Sequence, residues 1–545
     1  MIEKRSGIIP AGIIILLFAF LIPAACASPQ VNEIQEPDSE ILESEVVEAT
    51  APPQEIEVVA ASDIEALVEA LTFSSQIPTE TPNGINSSYA ELGVFAWQEF
   101  VAVNWPAMPR DGSPAPGQSP YVRGMPAQDA LGATGPDGVV VWETYKHKSE
   151  IYPGNLTTTQ TACAYQPPAT NPLNQLPPFD STVCYGYSDN NLKSGQNNPS
   201  FTLFNNLDES NEIGLADMWY TPNGMPVLFE AKANQIVYDY VRENGLQDEP
   251  TRSTATGATA NMLKGTPVPS GDLTISFPDN SILVKATWRM YDPTIDGDNL
   301  DRYHSAEAIY YTGSEFGPKE YHNATFLLIG LHIIQKTPGV PTFTFATFEH
   351  VDNEQDGYLL QNKNVPANPA GLLNVIRQHP IPDEIQTLNQ MVQEMLRAEF
   401  GDDVVWANYQ LIGIQAMPTS EPTTNVPPQQ YYLANFVTES NCALQYFSGF
   451  QSGGGLPVPT PDVYQPDGSG GYTTFIAGGC LGCHGVAQTN GADFSFTLSN
   501  APNRRPDPAD PLPALTPQPQ DCSNIVGIDP EQPQPLPTPT SSGGS

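Results

Sequence analysis

The 545-residue sequence predicts an α+β protein, with a strand-rich body, a few packed helices and a short C-terminal segment that carries a Cys-x-x-Cys-His motif. Residues Ser281 to Met290 alternate between two faces, the period of a β-strand. Two further apolar runs flank a Lys-Thr-Pro-Gly-Val-Pro turn and predict a hairpin. Other segments space their apolar residues as a helix does. A strand-rich body with helices packed on it is the simplest way to bury all these faces.

The N-terminus has the pattern of an export signal. Lys4 and Arg5 precede an apolar run from Ile8 to Leu21, and small residues lead to Cys26. We predict a signal peptide over residues 1–25, with Cys26 as the lipidated first residue of the mature chain. An ordinary secretory signal cleaved nearby is the alternative. Both interpretations place the protein outside the cytoplasm, and the first anchors it by lipid to a bacterial membrane, at the cell surface or in the periplasm.

The predicted domain organisation follows from composition. Residues 30–60 hold nine acidic residues and no basic one, which suits an extended tether. Residues 501–545 contain 12 prolines and predict a tail without a core. The predicted segments are a signal peptide (1–25), an acidic tether (26–61), a mixed body (62–440), a motif-bearing segment (441–500) and a Pro-rich tail (501–545).

Three helices are predicted in the body. Ser62 with Glu65 forms a capping box at the start of a short amphipathic helix. A second helix runs from about Tyr89 to Val103, before Trp105-Pro106, and a third from about Asp383 to Phe400. Their apolar stripes indicate faces that pack on the core.

The remaining elements of the body are predicted strands. Besides Ser281 to Met290, the hairpin arms are Thr325 to Gln335 and Thr342 to His350. Further candidates are Val139 to Trp142, Pro226 to Glu230 and Trp406 to Gln415. No run after the signal is long and apolar enough to span a bilayer.

The C-terminal motif Cys480-Leu481-Gly482-Cys483-His484 has the residue types and the spacing of covalent haem attachment. The two thiols form thioethers to the haem, and the imidazole binds the iron as an axial ligand. A redox dithiol does not need the adjoining histidine. A zinc site would need a second ligand pair, which the sequence lacks. The motif therefore predicts one covalent haem c in a haem-binding segment over residues 441–500.

Four cysteines remain beside Cys26 and the motif. In an oxidising compartment they predict two disulfides, with three possible connectivities. Sequence proximity favours Cys163–Cys184 and Cys442–Cys522, whereas free buried thiols are the alternative.

The second axial ligand of the iron is open at this stage, because no Met or His follows His484 in the sequence. Either the ligand comes from the body, or the iron is five-coordinate or water-ligated. Met417 and the two histidines of the hairpin arms, His332 and His350, are the preferred candidates. The other candidates considered are His147, His304, His322, His379, Met391 and Met395.

Charged side chains near these motifs could form a pocket for an anionic or polar substrate beside the haem. Lys285 and Arg289 share one strand face, and Glu349 precedes His350. The other members of this set are Glu143, Lys146 and Asn353, with Trp142 and Trp288 nearby. Cross-strand ion pairs on one side of a sheet explain the same pattern without a pocket.

Several of these stretches resemble a known family. They are Phe95 to Ala102 with Asn104-Trp105-Pro106, Val284 to Arg289, Ala346 to Asn353, and the Cys-x-x-Cys-His motif followed by Asp493-Phe494-Ser495-Phe496. As a set, from about residue 88 to residue 500, they are similar to large, mostly uncharacterised bacterial proteins of the cytochrome c family. The resemblance implies one C-terminal haem.

The charge balance limits the partners. With 61 acidic and 21 basic residues the formal net charge is −40, so nucleic acid and anionic membrane surfaces are poor partners. A cationic redox protein fits as a partner, whereas a role of the charge in solubility is the default interpretation. Hydrolase and kinase motifs are missing from the sequence.

Two function classes fit these observations. The first is a monohaem c-type cytochrome that transfers electrons outside the cytoplasm. The alternative is a haem-dependent, peroxidase-like oxidoreductase, with a substrate pocket in the body and His332, His350 or Glu349 as catalytic candidates. A ligand-binding module that carries haem is a third possibility.

Overall fold

The fold is mixed, with helices packed on antiparallel sheets, as the sequence predicts. The computed structural model of the protein describes residues 61–112, 119–135, 137–152, 178–180, 218–220, 225–226, 228–293, 297, 299–313, 319–340, 342–354, 360–362, 381–416, 456–459, 472–475 and 479–499.

The described helices range from one turn to five turns. They are α1 (Ala61–Glu69), α2 (Tyr89–Val103), α3 (Lys148–Ile151), α4 (Gln235–Glu243), α5 (Glu249–Leu263), α6 (Asp383–Phe400), α7 (Gly479–Thr489) and α8 (Phe496–Ser499). The predicted bounds of α2 and α6 are confirmed. A capping box of Ser88 and Glu91 fixes the start of α2.

The described strands form four sheets, all of them antiparallel. They are β1 (Ala107–Pro109), β2 (Tyr121–Pro126), β3 (Lys146–His147), β4 (Met218–Tyr220), β5 (Met225–Pro226), β6 (Leu228–Ala233), β7 (Ile282–Met290), β8 (Ser305–Gly313), β9 (Lys319–Lys336), β10 (Phe343–His350), β11 (Leu360–Asn362), β12 (Tyr409–Gln415), β13 (Leu456–Pro459) and β14 (Tyr472–Phe475).

The largest sheet has the order β12-β10-β9-β7-β6-β3, and β8 pairs with the first half of β9. The predicted hairpin is confirmed as β9 and β10, in which Lys336 pairs with Phe343. Alternation along β10 gives the sheet two faces. We call the face with Ala346 and Phe348 the α2 face, and the face with Phe345 and Thr347 the α7 face.

On the α2 face, helices α2 and α6 bury the main aromatic core. The ring of Phe348 stacks on that of Phe100, with centroids 4.3 Å apart. Nε1 of Trp97 donates to Asn389 of α6 at 3.0 Å, and the same Asn389 donates to the carbonyl of Leu411 in β12. Helices and sheet are therefore joined by a buried polar bridge as well as by apolar contact.

Three sequence-based expectations differ from the structure. Val139 to Trp142 is not a strand, because Val140 makes an isolated bridge to Pro106 and a 3-10 turn begins at Trp142. Ser62 lies inside α1 (Ala61–Glu69) and not ahead of it, where the predicted cap would stand. The strand predicted from Trp406 begins at Tyr409, after a 3-10 turn.

Helices α4 and α5 and strand β8 were not predicted. Within the described residues, no helix is both long enough and apolar enough to cross a membrane.

Candidate functional site

The Cys-x-x-Cys-His motif lies in helix α7. Cys480, Cys483 and His484 follow the i, i+3, i+4 spacing, which places three positions on one side of a helix. The ring of His484 lies between two phenylalanine rings, with centroid distances of 4.7 Å to Phe345 of β10 and 5.0 Å to Phe496 of α8. Helix α7 is thus docked on the sheet with its histidine in an aromatic setting.

The tautomer of His484 is fixed by its contact with the following loop. Its Nδ1 lies 2.7 Å from the carbonyl oxygen of Phe494. A carbonyl oxygen can only accept, so Nδ1 carries the proton and donates it. In the neutral ring Nε2 then holds the lone pair, as a metal-binding imidazole requires.

Helix α7 and the loop that follows it are joined to the body by further contacts. The backbone N–H of Leu481 donates to Oε1 of Gln415 in β12 at 3.0 Å. Asp493 accepts from Lys336 at the end of β9. Gly491 lies so close to α5 that a Cβ there would come within 2.0 Å of the carbonyl oxygen of Thr256.

His332 lies on the α7 face of the sheet, as does Phe345, which contacts the ring of His484. Its cross-strand partners are Lys285 of β7 and Thr347 of β10, and its Nδ1 is 3.0 Å from the hydroxyl of Thr347. Thr347 is two residues along β10 from Phe345, so both side chains share one face about 7 Å apart. The structure therefore places His332 and His484 over neighbouring positions of one sheet face.

His350 points to the α2 face and has a structural setting. Its Nε2 is 3.0 Å from the carbonyl oxygen of Arg302, and its Nδ1 accepts from the backbone N–H of Asp352 at 3.1 Å. The ring also stacks on Tyr303, with centroids 3.7 Å apart. Burial lowers the pKa of His350 to about 3, although Asp352 opposes the shift. With both nitrogens bound to backbone groups, His350 is poorly placed to bind iron.

Glu349, the residue before His350 in the sequence, lies on the α7 face and is fully buried. Its Oε1 lies 3.5 Å from Nε2 of Gln410 in β12. Asn353, further along, donates from Nδ2 to the carbonyl oxygen of Ile329 at 2.7 Å. Ile329 is the extra residue of β9 at a bulge against β7. Asn353 thus satisfies the backbone where the ladder is irregular.

The predicted polar constellation does not form one group. Nζ of Lys285 lies over the ring of Phe229 at 5.3 Å, and the guanidinium of Arg289 over Tyr303 at 5.0 Å. Glu143 instead contacts His304, with 3.3 Å between Oε2 and Nε2. Although burial by itself raises the pKa of Glu143, His304 and other neighbours hold it below its ordinary value.

A second buried ionic group surrounds Glu150 of α3. The carboxylate accepts from both terminal nitrogens of Arg123, at 2.8 and 3.1 Å, and from Lys146 at 3.1 Å. Burial opposes ionisation, but Arg123 and Lys146 lower the pKa of Glu150 to about 2. Burial also lowers the pKa of Lys146 to about 7. These contacts join β2, β3 and α3 and are structural.

Sequence reasoning missed two charged residues beside Glu143, namely Glu230 and Lys232. Lys232 contacts Glu230 at 2.8 Å and the carbonyl oxygen of Glu143 at 2.5 Å, and Glu230 also accepts from Nε1 of Trp288. A sequence signal exists, because Glu230 and Lys232 are two residues apart in one strand and so share a face.

The other candidates have separate positions. His147 is buried in β3, and Met391 and Met395 lie in α6 packed on the core. Several candidates lie outside the described residues, namely Cys26, Cys163, Cys184, His379, Met417, Cys442 and Cys522, as do the side chains of His322 and Cys483. Among the described residues no group of three or more His, Cys, Asp or Glu has the arrangement of a metal site.

Comparisons of this chain with protein-family models, with curated proteins and with solved structures give no match.

Proposed function

We propose that the protein is an extracytoplasmic monohaem c-type cytochrome that transfers electrons through one covalently bound haem. The observation that carries this proposal is the contact of 2.7 Å between Nδ1 of His484 and the carbonyl oxygen of Phe494. It selects the tautomer in which Nε2 carries the lone pair that a metal ligand needs. The histidine concerned directly follows two cysteines with the spacing of haem attachment.

The residues present fit a covalently held haem. Cys480 and Cys483 would form the thioethers, and His484 would bind the iron. The bound group supplies a metal that changes between its ferric and ferrous states. The chain contributes the rest: Phe494 orients the imidazole, and the rings of Phe345 and Phe496 reduce the access of water to it.

The location and partners of the proposed cytochrome come from the N-terminus and the charge. Cys26 would hold the protein on a membrane by lipid, and the acidic tether would keep the body away from the lipid surface. With a net charge of −40, the redox partner would be a cationic protein. Two disulfides, Cys163–Cys184 and Cys442–Cys522, would suit the same oxidising compartment.

The test is the Cys480→Ala, Cys483→Ala double variant, compared with the wild type on a denaturing gel stained for haem peroxidase activity. We expect the wild type to stain and the double variant to lose the stain. The matched control is Cys163→Ala with Cys184→Ala, which also removes two thiols and should keep the stain. Staining of the first double variant at the wild-type level would disprove the proposal.

A haem-dependent oxidoreductase of peroxidase type is the second candidate. The observation that favours it is the row of buried polar side chains on the α7 face. His332, Thr347 and Glu349 lie there beside Phe345, the residue that contacts His484. These could orient a substrate and move a proton. Ready binding of cyanide by the ferric protein or of carbon monoxide by the ferrous protein would support an enzyme, and a sharp six-coordinate low-spin spectrum would support electron transfer.

A further inference from the structure

We propose that Asp493 and Lys336 are a positioning pair that holds the Phe494 carbonyl against His484 and thereby sets the reduction potential of the haem. This inference rests on the proposed function, because it needs a haem bound at His484. It assigns a role to the Asp-Phe-Ser-Phe stretch that follows the motif.

The pair is well defined by its contacts. One oxygen of Asp493, Oδ2, accepts from Nζ of Lys336 at 2.5 Å and from the backbone N–H of Phe277 at 2.6 Å. The two side chains are 9% and 11% exposed, so the pair is shielded from solvent. Lys336 ends β9, and Phe277 precedes β7, so the carboxylate ties the loop after α7 to the body.

The backbone at this point needs such support. Asp493 has φ +48° and Phe494 has φ +59°, both in the left-handed region that non-glycine residues rarely adopt. Two consecutive residues in this region cost conformational free energy, which contacts elsewhere must offset. The contacts of Asp493 are strong ones, since a charged carboxylate accepts from an ammonium group and an amide.

The strained residue next in sequence is the one whose carbonyl meets His484. Because Asp493 and Phe494 share a peptide bond, fixing the carboxylate of the first restricts the orientation of the second. The loop is also held by Gly491 against α5, which fixes the side of the turn nearer to α7. Lys336 therefore acts on His484 through Asp493 and Phe494, without touching the imidazole.

A firm bond from Nδ1 makes an imidazole a more basic ligand, which favours ferric iron and lowers the reduction potential. Loosening the bond should raise the potential. Charge alone acts differently: loss of the Asp493 charge raises the potential, whereas loss of the Lys336 charge lowers it. The two explanations thus predict opposite signs for the lysine variant.

The experiment measures the midpoint potential of the full-length haem protein in Asp493→Asn, Lys336→Met and Lys336→Arg. We expect the first two to raise the potential and Lys336→Arg, which keeps the ion pair, to match the wild type. Hydrogen exchange of residues 479–499 should be faster in the first two variants. Lys336→Met keeps a side chain of similar length and removes the ammonium group, whose Nζ lies 5.5 Å from the centroid of the Phe343 ring.

The control is Asp352→Asn, which removes a carboxylate of similar exposure, 10%, from its pair with Arg302 on the body. It should lower stability and leave both the potential and the exchange of residues 479–499 unchanged. A lower potential in Lys336→Met, or equal shifts in the control, would overturn the positioning role while haem attachment stands. A wild type without covalent haem would instead overturn the proposed function.

Discussion

Nδ1 of His332 lies 3.0 Å from the hydroxyl of Thr347, on the sheet face that also receives helix α7. His350, by contrast, binds backbone groups through both ring nitrogens. The structure thus separates two histidines that the sequence placed together on one hairpin. His332 lies on the sheet face against which the Cys-x-x-Cys-His motif packs, and His350 binds backbone groups within the body.

The first prediction concerns the second axial ligand. If the iron is ligated from the body, His332→Ala should convert a low-spin ferric spectrum to a high-spin one and allow cyanide to bind faster. His350→Ala should lower thermal stability and leave the spectrum of the folded protein unchanged. Optical spectra of the purified ferric variants measure both. If Met417→Leu gives the high-spin change and His332→Ala does not, the ligand is the methionine.

The second prediction is that residues 441–500, the proposed haem-binding segment, depend on the body. Helix α7 bonds to Gln415 and its loop bonds to Lys336, both outside residues 441–500. A fragment that begins at Gln445 loses these contacts, so we expect it to hold haem poorly or in a high-spin state. Haem yield and optical spectra, compared with the full-length protein, measure this. Identical spectra would mean that the segment is self-sufficient.

The third prediction tests the anchor. Cys26→Ser removes the thiol that we propose is acylated, so the protein should move from the membrane fraction to the soluble fraction after export. Immunoblots of the fractions follow the change, and Ser28→Ala serves as a neighbouring control that should stay on the membrane. Persistent membrane association of Cys26→Ser after signal cleavage would indicate another mode of attachment.

The fourth prediction concerns acid stability. The pKa of Glu150 falls from its ordinary 4.5 to about 2 in the folded protein. Its stabilising contribution is therefore complete above about pH 4.5 and is lost as the pH falls towards 2. Glu150→Gln leaves Arg123 and Lys146 buried without their carboxylate and should cost about 3–5 kcal/mol at neutral pH. Urea unfolding measures the free energy of unfolding of the wild type and the variant at pH 7 and pH 3. The difference between the two proteins should be smaller at pH 3.

The fifth prediction concerns Glu99 of α2, which is fully buried and makes no hydrogen bond from either carboxyl oxygen to the residues that the structure describes. Burial raises its pKa well above the ordinary value. Ionisation of the unfolded chain therefore lowers stability as the pH rises above about 4.5. Glu99→Met should stabilise the protein by about 1–3 kcal/mol at pH 7 and by less at pH 4. Equal effects at both pH values would contradict this.

Helices with a clear apolar period were predictable, and helices without one were not. The bounds of α2 and α6 follow from stripes that the structure buries. Helix α5 has the sequence EPTRSTATGATANML, rich in Thr with an internal Gly, and weak in local preference for a helix. It is held by the Asp248 cap and by burial of Ala255 and Thr259. Val139 to Trp142 shows the opposite case, an apolar run that tertiary contacts direct into a turn.

The sequence by itself determined the mixed fold class, the hairpin and the Cys-x-x-Cys-His motif, because local period and residue type carry those signals over a few neighbouring positions. Only the tertiary structure decided which distant residues meet. It placed His332 on the α7 face of the sheet and His350 on the α2 face. It also joined Lys336 to Asp493, 157 positions apart in the sequence. The reason is physical: strand register and packing between sheet and helices decide such contacts, and no local pattern encodes them.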